Sequence, residues 1–337
     1  MDFRKHITEN LIKKKDRIIE FGPLDRPIVN KKDFKNAYYA DVRSTKGVKD
    51  LYSSNEYLKS TGVKIDVETI VDIDYVIDRP YEQMFSEEDK FDVAILSHVI
   101  EHMPDIIAFF KDIPNILTKN GKLILIYPDS RYSFDHFRVG TRFIDALLTY
   151  TSEEINTRAV FDFSYNVIKG NIPADYWSGG DTAEIKLPTN SFDDSIKKLD
   201  MNSLDNAPDD MHFWPFADYQ FVKFLYDLDR ANMNDFQIDE CYQTQFNTQE
   251  FMVVLSRKKR GGAINHSKYQ RLVRELSPEN KQYRTRTIQQ ANALLEDANK
   301  KLHEENLEIK NELSRVYASK RWKMTAGLAY LVGKVRR

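Results

Sequence analysis

The sequence has a single cysteine, Cys241, in 337 residues. An internal disulfide framework is therefore excluded, and the chain suits a reducing compartment. Nowhere does it have a run of about 18 apolar residues, so no segment is expected to span a membrane. No apolar run follows the polar start from Met1 to His6, and no signal peptide is expected. It also lacks charge of one sign: 50 basic and 52 acidic residues leave a net charge of −2. Bulk binding of nucleic acid is not expected from such a balance. What the chain does have is 41% hydrophobic and 12% aromatic content. That is enough for a real core, in one large domain with an extension or in two domains.

The most informative stretch is 91–129. Phe91 to Ser97 is an apolar run of strand length that ends in a polar residue. His98 to Asp105 reads as a loop entering an amphipathic helix. Asn120-Gly121 breaks that helix, and Lys122 to Tyr127 is a second buried strand. Such βαβ units make parallel sheets whose ligands sit at the carboxyl ends of the strands. Those ends carry Ser97-His98 and Pro128-Asp129.

Three earlier strands are expected. Asp16 to Phe21 is closed by a Gly22-Pro23 turn, Asn36 to Arg43 ends its strand at Asp41, and Tyr75 to Asp78 is the third. A helix is expected over 47–60. Residues 131–215 form a tyrosine- and tryptophan-rich insertion, the kind of long irregular segment that usually serves function. A helix over 216–232 follows, then strands at 237–242 and 250–256. The connection between those two strands is too short for a parallel crossover, so they pair antiparallel.

The fold class expected is therefore α/β, a Rossmann-like parallel sheet with a terminal antiparallel hairpin. With the run Ser97-His98-Val-Ile-Glu101-His102, this pattern resembles the class I S-adenosylmethionine-dependent methyltransferases. The resemblance implies S-adenosyl-L-methionine as cofactor. It places Glu20, Gly22 and Pro23 at the first turn, Asp41 at the ribose hydroxyls and Asp78 at the adenine amino group. Ser97 and His98 would lie beside the methionine part, with Glu101 and His102 as structural polar residues. Gly22 lets backbone approach a ligand closely. His98-x-x-Glu101-His102 also formally matches the inverted zinc proteases. Its position after a buried strand and the nearby Pro104 argue against that, so no metal is expected.

The run Pro128-Asp129-x-Arg131-Tyr132-x-Phe134-Asp135-His136-Phe137-Arg138 resembles a subgroup of methyltransferases found with bacterial surface-polysaccharide synthesis. The implied acceptor is a hydroxyl or phosphate of such a glycan or of its lipid-linked precursor. A hydroxyl acceptor needs a base for its proton, most often a histidine. His136 is the first candidate, with Asp129 or Asp135 orienting it, and His212 is the rival. Arg131 and Arg138 are candidates for binding a phosphate or carboxylate on the acceptor.

Residues 261–280 are expected to be a linker and 281–318 a coiled coil. Ile288, Leu295, Leu302, Ile309 and Val316 recur every seven residues, which predicts a homo-oligomer. Residues 319–337 read as a basic amphipathic helix with no acidic residue. Such a helix suits an anionic membrane surface or a polysaccharide-enzyme partner. The expected location is cytoplasmic, peripheral at the inner membrane face. Two other readings stand beside this one. One is a methyltransferase-like scaffold without catalysis, motivated by the lone glycine of the first turn. The other is an oxidoreductase using NAD or a nucleotide sugar on a similar sheet.

Overall fold

A computed structural model describes residues 1–54, 65–152, 157–168, 177, 191–199, 211–258 and 264–318. The expected helix end at 55–60 and the basic helix at 319–337 lie outside these residues. The chain divides into two units, Met1–Asn280 and Lys281–Arg337.

The first unit is built on seven strands: β1 (Ile18–Phe21), β2 (Ala37–Asp41), β3 (Tyr75–Val76), β4 (Phe91–Ser97), β5 (Leu117–Pro128), β6 (Phe236–Tyr242) and β7 (Glu250–Arg257). Their order across the sheet is β3-β2-β1-β4-β5-β7-β6. The first five run parallel. β7 is antiparallel to both β5 and β6, as the short turn before it requires.

Both faces of the sheet are covered, which explains why its strands read as unbroken apolar runs. Side chains alternate between the faces. Ile19, Phe21, Ala94, Leu96, Leu123 and Leu125 pack on one side. There they meet Ile106 and Phe110 of one helix (Ile106–Asp112) and Phe221, Phe224 and Leu228 of another (Asp218–Arg230). Ile18, Val93, Ile95, Ile124 and Ile126 face the other way, onto Phe3, Ile7 and Leu11 of the N-terminal helical turns. Each fully buried large side chain contributes about 1.5–3 kcal/mol. The Ile106 helix starts at Asp105, whose carboxylate accepts the Ile107 and Ala108 amides, both at 2.9 Å. That capping fixes the exit angle from β4.

Two sequence expectations change here. Asn120 and Gly121 do not separate a helix from a strand, because β5 already begins at Leu117 and pairs with β4 through an irregular step. The expected linker contains a helix, His266–Leu276, with Tyr269 and Leu276 buried in the larger core.

The second unit begins with one helix, Lys281–Ala318. Ile288, Leu295, Leu302 and Ile309 on it are 55–60% exposed. Among the described residues, no helix is long and apolar enough to cross a membrane.

Candidate active site

β1 lies between β2 and β4, so the chain leaves it in one direction and returns on the other side. The carboxyl ends of β1 and β4 flank this switch point, where open α/β sheets bind ligands. Gly22 follows β1 in the left-handed region at φ 60°, and its amide donates to the Ala40 carbonyl at 2.9 Å. A Cβ on Gly22 would stand 2.9 Å from Val99 Cγ2, so any other residue would be strained by its φ and would have to displace Val99. Pro23 is buried beside it. The cradle expected after the first strand is present, with one glycine.

Glu20 holds that cradle from beneath. Its carboxylate accepts the amides of Ile28 and Val29 at 2.7 and 2.9 Å and is buried. Burial pushes its pKa up to about 7, with the two amides opposing the rise. Both oxygens are thus used in folding the 22–29 loop back on itself, rather than in reaching a ligand. Asp41 ends β2 half-buried, and Oδ1 accepts the Arg43 amide at 2.9 Å. Burial raises its pKa. Asp78 is exposed and paired with its neighbour Arg79 at 2.8 Å, which lowers its pKa. The expected adenine contact therefore has a competing partner of its own. Ser97 closes β4, and His98 follows with φ 53°, unusual for a residue with a side chain. Its Nε2 lies 2.9 Å from Glu250 at the start of β7.

Behind His98 is a buried chamber of acids and imidazoles. Glu101 is fully buried, and neither carboxylate oxygen has a hydrogen-bond partner among the described residues. Its Oε1 lies 3.6 Å from His98 Nδ1 and 4.0 Å from Nε2 of both His102 and His212. His102 Nδ1 donates to the Met211 carbonyl at 3.0 Å. His212 Nδ1 meets Asp135 Oδ2 at 2.6 Å. Arg138 closes the far side, donating to Asp135 at 2.7 Å and to Asp162 at 3.0 Å.

The electrostatics follow from this packing. Burial, chiefly, raises the Glu101 pKa, with the His212 and His98 charges opposing it. Burial and then His212 push His102 down to about 3, so its ring is neutral. For Asp135 burial acts upward, but His212 and Arg138 outweigh it and hold the carboxyl at about 2. Burial acts downward on His98, yet Glu250 and Glu101 leave its pKa raised.

Several expected pairings are corrected. Asp135 orients the buried His212, not His136. His136 is exposed, with Nδ1 2.6 Å from the Arg131 carbonyl oxygen. Asp129 does not reach His136 either: it is fully buried and accepts Arg131 Nε at 2.9 Å and Thr244 Oγ1 at 2.6 Å. Arg131 also donates to Asp218 at 2.7 Å. Burial raises Asp218 to about 7, Arg131 opposes this and Asp129 adds to it. Arg138 has a side chain only 1% exposed, between two carboxylates. It holds the chamber together and does not reach outward to an acceptor. Trp214 is core, its Nε1 donating to the Met103 carbonyl at 2.6 Å.

Residues 4–159 match a family model described as a methyltransferase domain. That match covers β1 to β5, the strands that form the cradle. Over this stretch the chain is similar to a methyltransferase domain. No curated protein matches. Among solved structures, the chain is similar to a coclaurine N-methyltransferase bound to N-methylheliamine and SAH. That match has 13% identity and a TM-score of 0.25, and covers 37% of this chain and 34% of that one. A putative zinc-dependent alcohol dehydrogenase from Rhodobacter sphaeroides matches at 14% identity, with a TM-score of 0.38 over 77% and 91% of the two chains. A SAM-dependent methyltransferase from Aquifex aeolicus matches at 9% identity, with a TM-score of 0.34 over 76% and 90%. The likeness to a methyltransferase domain rests on the family match and the strand order.

S-adenosyl-L-methionine is the cofactor that a methyltransferase domain implies. The cradle suits it: the tight Gly22 turn stands at the end of β1, and Asp41 presents a half-buried carboxylate at the neighbouring strand end. Glu250 is a site residue that the sequence reading missed. The register pairs it with Pro128 and Ser97 with Ile126, which brings its strand to the edge where His98 sits. Asp162, Asp218 and Thr244 were missed too. No local pattern marks them, since each meets its partner only in the folded chain.

Proposed function

We propose that the domain transfers a methyl group from S-adenosylmethionine to a hydroxyl or phosphate of a bacterial surface polysaccharide or its lipid-linked precursor. Capping of a growing chain end is the role that suits such a reaction. The observation that carries the reading is the buried chamber next to the glycine cradle, joined to it by His98. The glycan class is supported by the resemblance of the 128–138 run. When bound, the cofactor supplies an electrophilic methyl on a sulfonium. The chain's residues have to place the acceptor about 3 Å from that methyl and, for a hydroxyl, remove its proton. Loss of the acceptor proton is assigned to the chamber side of the site, where Asp135 fixes the His212 ring. Tyr132 stacks on Trp177 with ring centroids 3.9 Å apart, an aromatic wall in the same insertion.

Full-length protein with methyl-labelled S-adenosylmethionine and a panel of free and lipid-linked glycans tests this. Label on a glycan supports the reading. A scaffold would bind partners and transfer nothing, and heat with NAD but none with S-adenosylmethionine would favour the oxidoreductase.

The proposal extends to the second unit. Its seven-residue seam supports self-association, and the basic 319–337 segment supports docking on anionic membrane or on a polysaccharide enzyme. Deleting 281–337 should lower the oligomer order in sedimentation. Deleting 319–337 alone should keep the oligomer and abolish liposome flotation.

A further inference from the structure

We propose that Glu101, His102 and His212 bind one divalent transition-metal ion of the zinc class, inside the chamber. The inference rests on the methyltransferase reading for its place beside the cofactor edge, and on geometry alone for the ion.

The three donor atoms lie within 4.8 Å of one another. Glu101 Oε1 is 4.0 Å from each Nε2 atom, beyond hydrogen-bond reach. A tetrahedral ion about 2.0–2.2 Å from each donor needs donors about 3.4 Å apart. Modest rotation of the two rings and the carboxylate closes that difference.

The ring orientations point the same way. In a neutral imidazole, one nitrogen carries the proton and the other keeps a lone pair. His102 spends its Nδ1 proton on the Met211 carbonyl, which leaves the Nε2 lone pair facing Glu101. His212 Nδ1 is held by Asp135, which leaves its Nε2 facing the same carboxylate. A carbonyl and a carboxylate behind the two rings are the supports that metal-bound histidines use. Asp135 is itself held by Arg138.

Glu101 supplies the second, independent observation. A fully buried carboxylate without a hydrogen-bond partner is costly unless something cationic meets it. Imidazoles stand around it on three sides: His98, His102 and His212. His98 turns Nε2 to Glu250 and stays outside the ligand set. Two imidazoles and a carboxylate form a set that holds catalytic zinc with one position open.

This differs from the inverted zinc-protease reading, which would pair His98 with His102 on one helix. Ile100–His102 is a single 3-10 turn. The third donor comes instead from the far end of the insertion. The absence of a metal, expected from the sequence, rested on a local pattern that does not contain His212.

The test uses the full chain, stripped with chelator and titrated with Zn²⁺ and Co²⁺. We expect one ion per chain and a tetrahedral Co²⁺ absorption spectrum. His102→Ala and His212→Ala should each weaken binding at least about 100-fold, and Asp135→Asn about 10–100-fold through the outer shell. His136→Ala should bind as wild type. Circular dichroism and S-adenosylmethionine binding report whether each variant is folded. No stoichiometric binding by folded wild-type protein overturns the proposal, leaving a protonated Glu101 among histidines. Unchanged binding in folded His102→Ala and His212→Ala overturns it as well. Tight metal binding with no methyl transfer to any acceptor keeps the metal site and sinks the functional reading instead.

Discussion

The cofactor cradle and the acid–histidine chamber are neighbours made in opposite ways. The cradle consists of strand ends and a turn: Gly22, Pro23, Asp41, Ser97. Its geometry comes from backbone and strand order, with one buried side chain, Glu20, tying the loop. The chamber consists of side chains from segments far apart in sequence, His212 meeting Asp135 across 77 positions. Its backbone contributes little beyond the Met211 and Glu101 carbonyls. The lesson is that the turn proposed for the cofactor is encoded locally, whereas the chamber proposed for the acceptor is encoded by how the insertion folds back.

Removing the chamber's keystone should show the largest effect. Arg138→Met would leave Asp162 and one side of Asp135 without their cation inside the core. Breaking a buried pair in this way costs about 3–5 kcal/mol. A lower urea midpoint of the isolated variant would show it. Wild-type stability together with weaker acceptor binding would return Arg138 to the substrate-binding role that the sequence suggested.

The cradle is the gentler target. Asp41→Ala should weaken S-adenosylmethionine binding by about 1.5–3 kcal/mol, through loss of charge-assisted hydrogen bonds to the ribose. Calorimetry on a folded variant decides this. Unchanged affinity would move the ribose contact elsewhere along the β2–β3 edge, and Asp74 is committed there to Lys31 and the Tyr39 amide at 2.5 and 2.7 Å.

These two regions also mark what was legible in the sequence. The strands, the closing hairpin and the Gly22 turn were readable, because apolar period and turn chemistry are local. The sequence ended the third strand at Asp78, whereas β3 stops at Val76, and it did not show that Arg79 would pair with Asp78. The His266–Leu276 helix was readable and missed. Tyr269, Leu272, Val273 and Leu276 have helical spacing, but the Arg257–Gly262 run drew the domain boundary too early. The partner of Asp135 was not legible. Sequence proximity favoured His136, and only the fold brings His212 to it.

A smaller effect concerns pH. The Glu20 carboxyl rises from an ordinary 4.5 to about 7 in the folded chain. A raised acid binds its proton more tightly when folded. Its contribution is complete below about 4.5 and is lost as pH rises through about 7. Urea midpoints of wild type and Glu20→Gln, followed between these values, should diverge with pH, the wild type losing ground. Parallel curves would show that the two amides hold Glu20 ionised throughout.

The chamber's role in chemistry is tested most directly by turnover in two histidine variants. Methyl transfer to the accepted glycan would be compared for His212→Ala and His136→Ala, with S-adenosylmethionine affinity measured alongside. The geometry predicts a fall of about 10²–10⁴ in turnover for His212→Ala, with cofactor affinity intact, and a mild change for His136→Ala. The reverse pattern would contradict it, placing the chemistry at the exposed histidine and leaving the buried chamber a structural core.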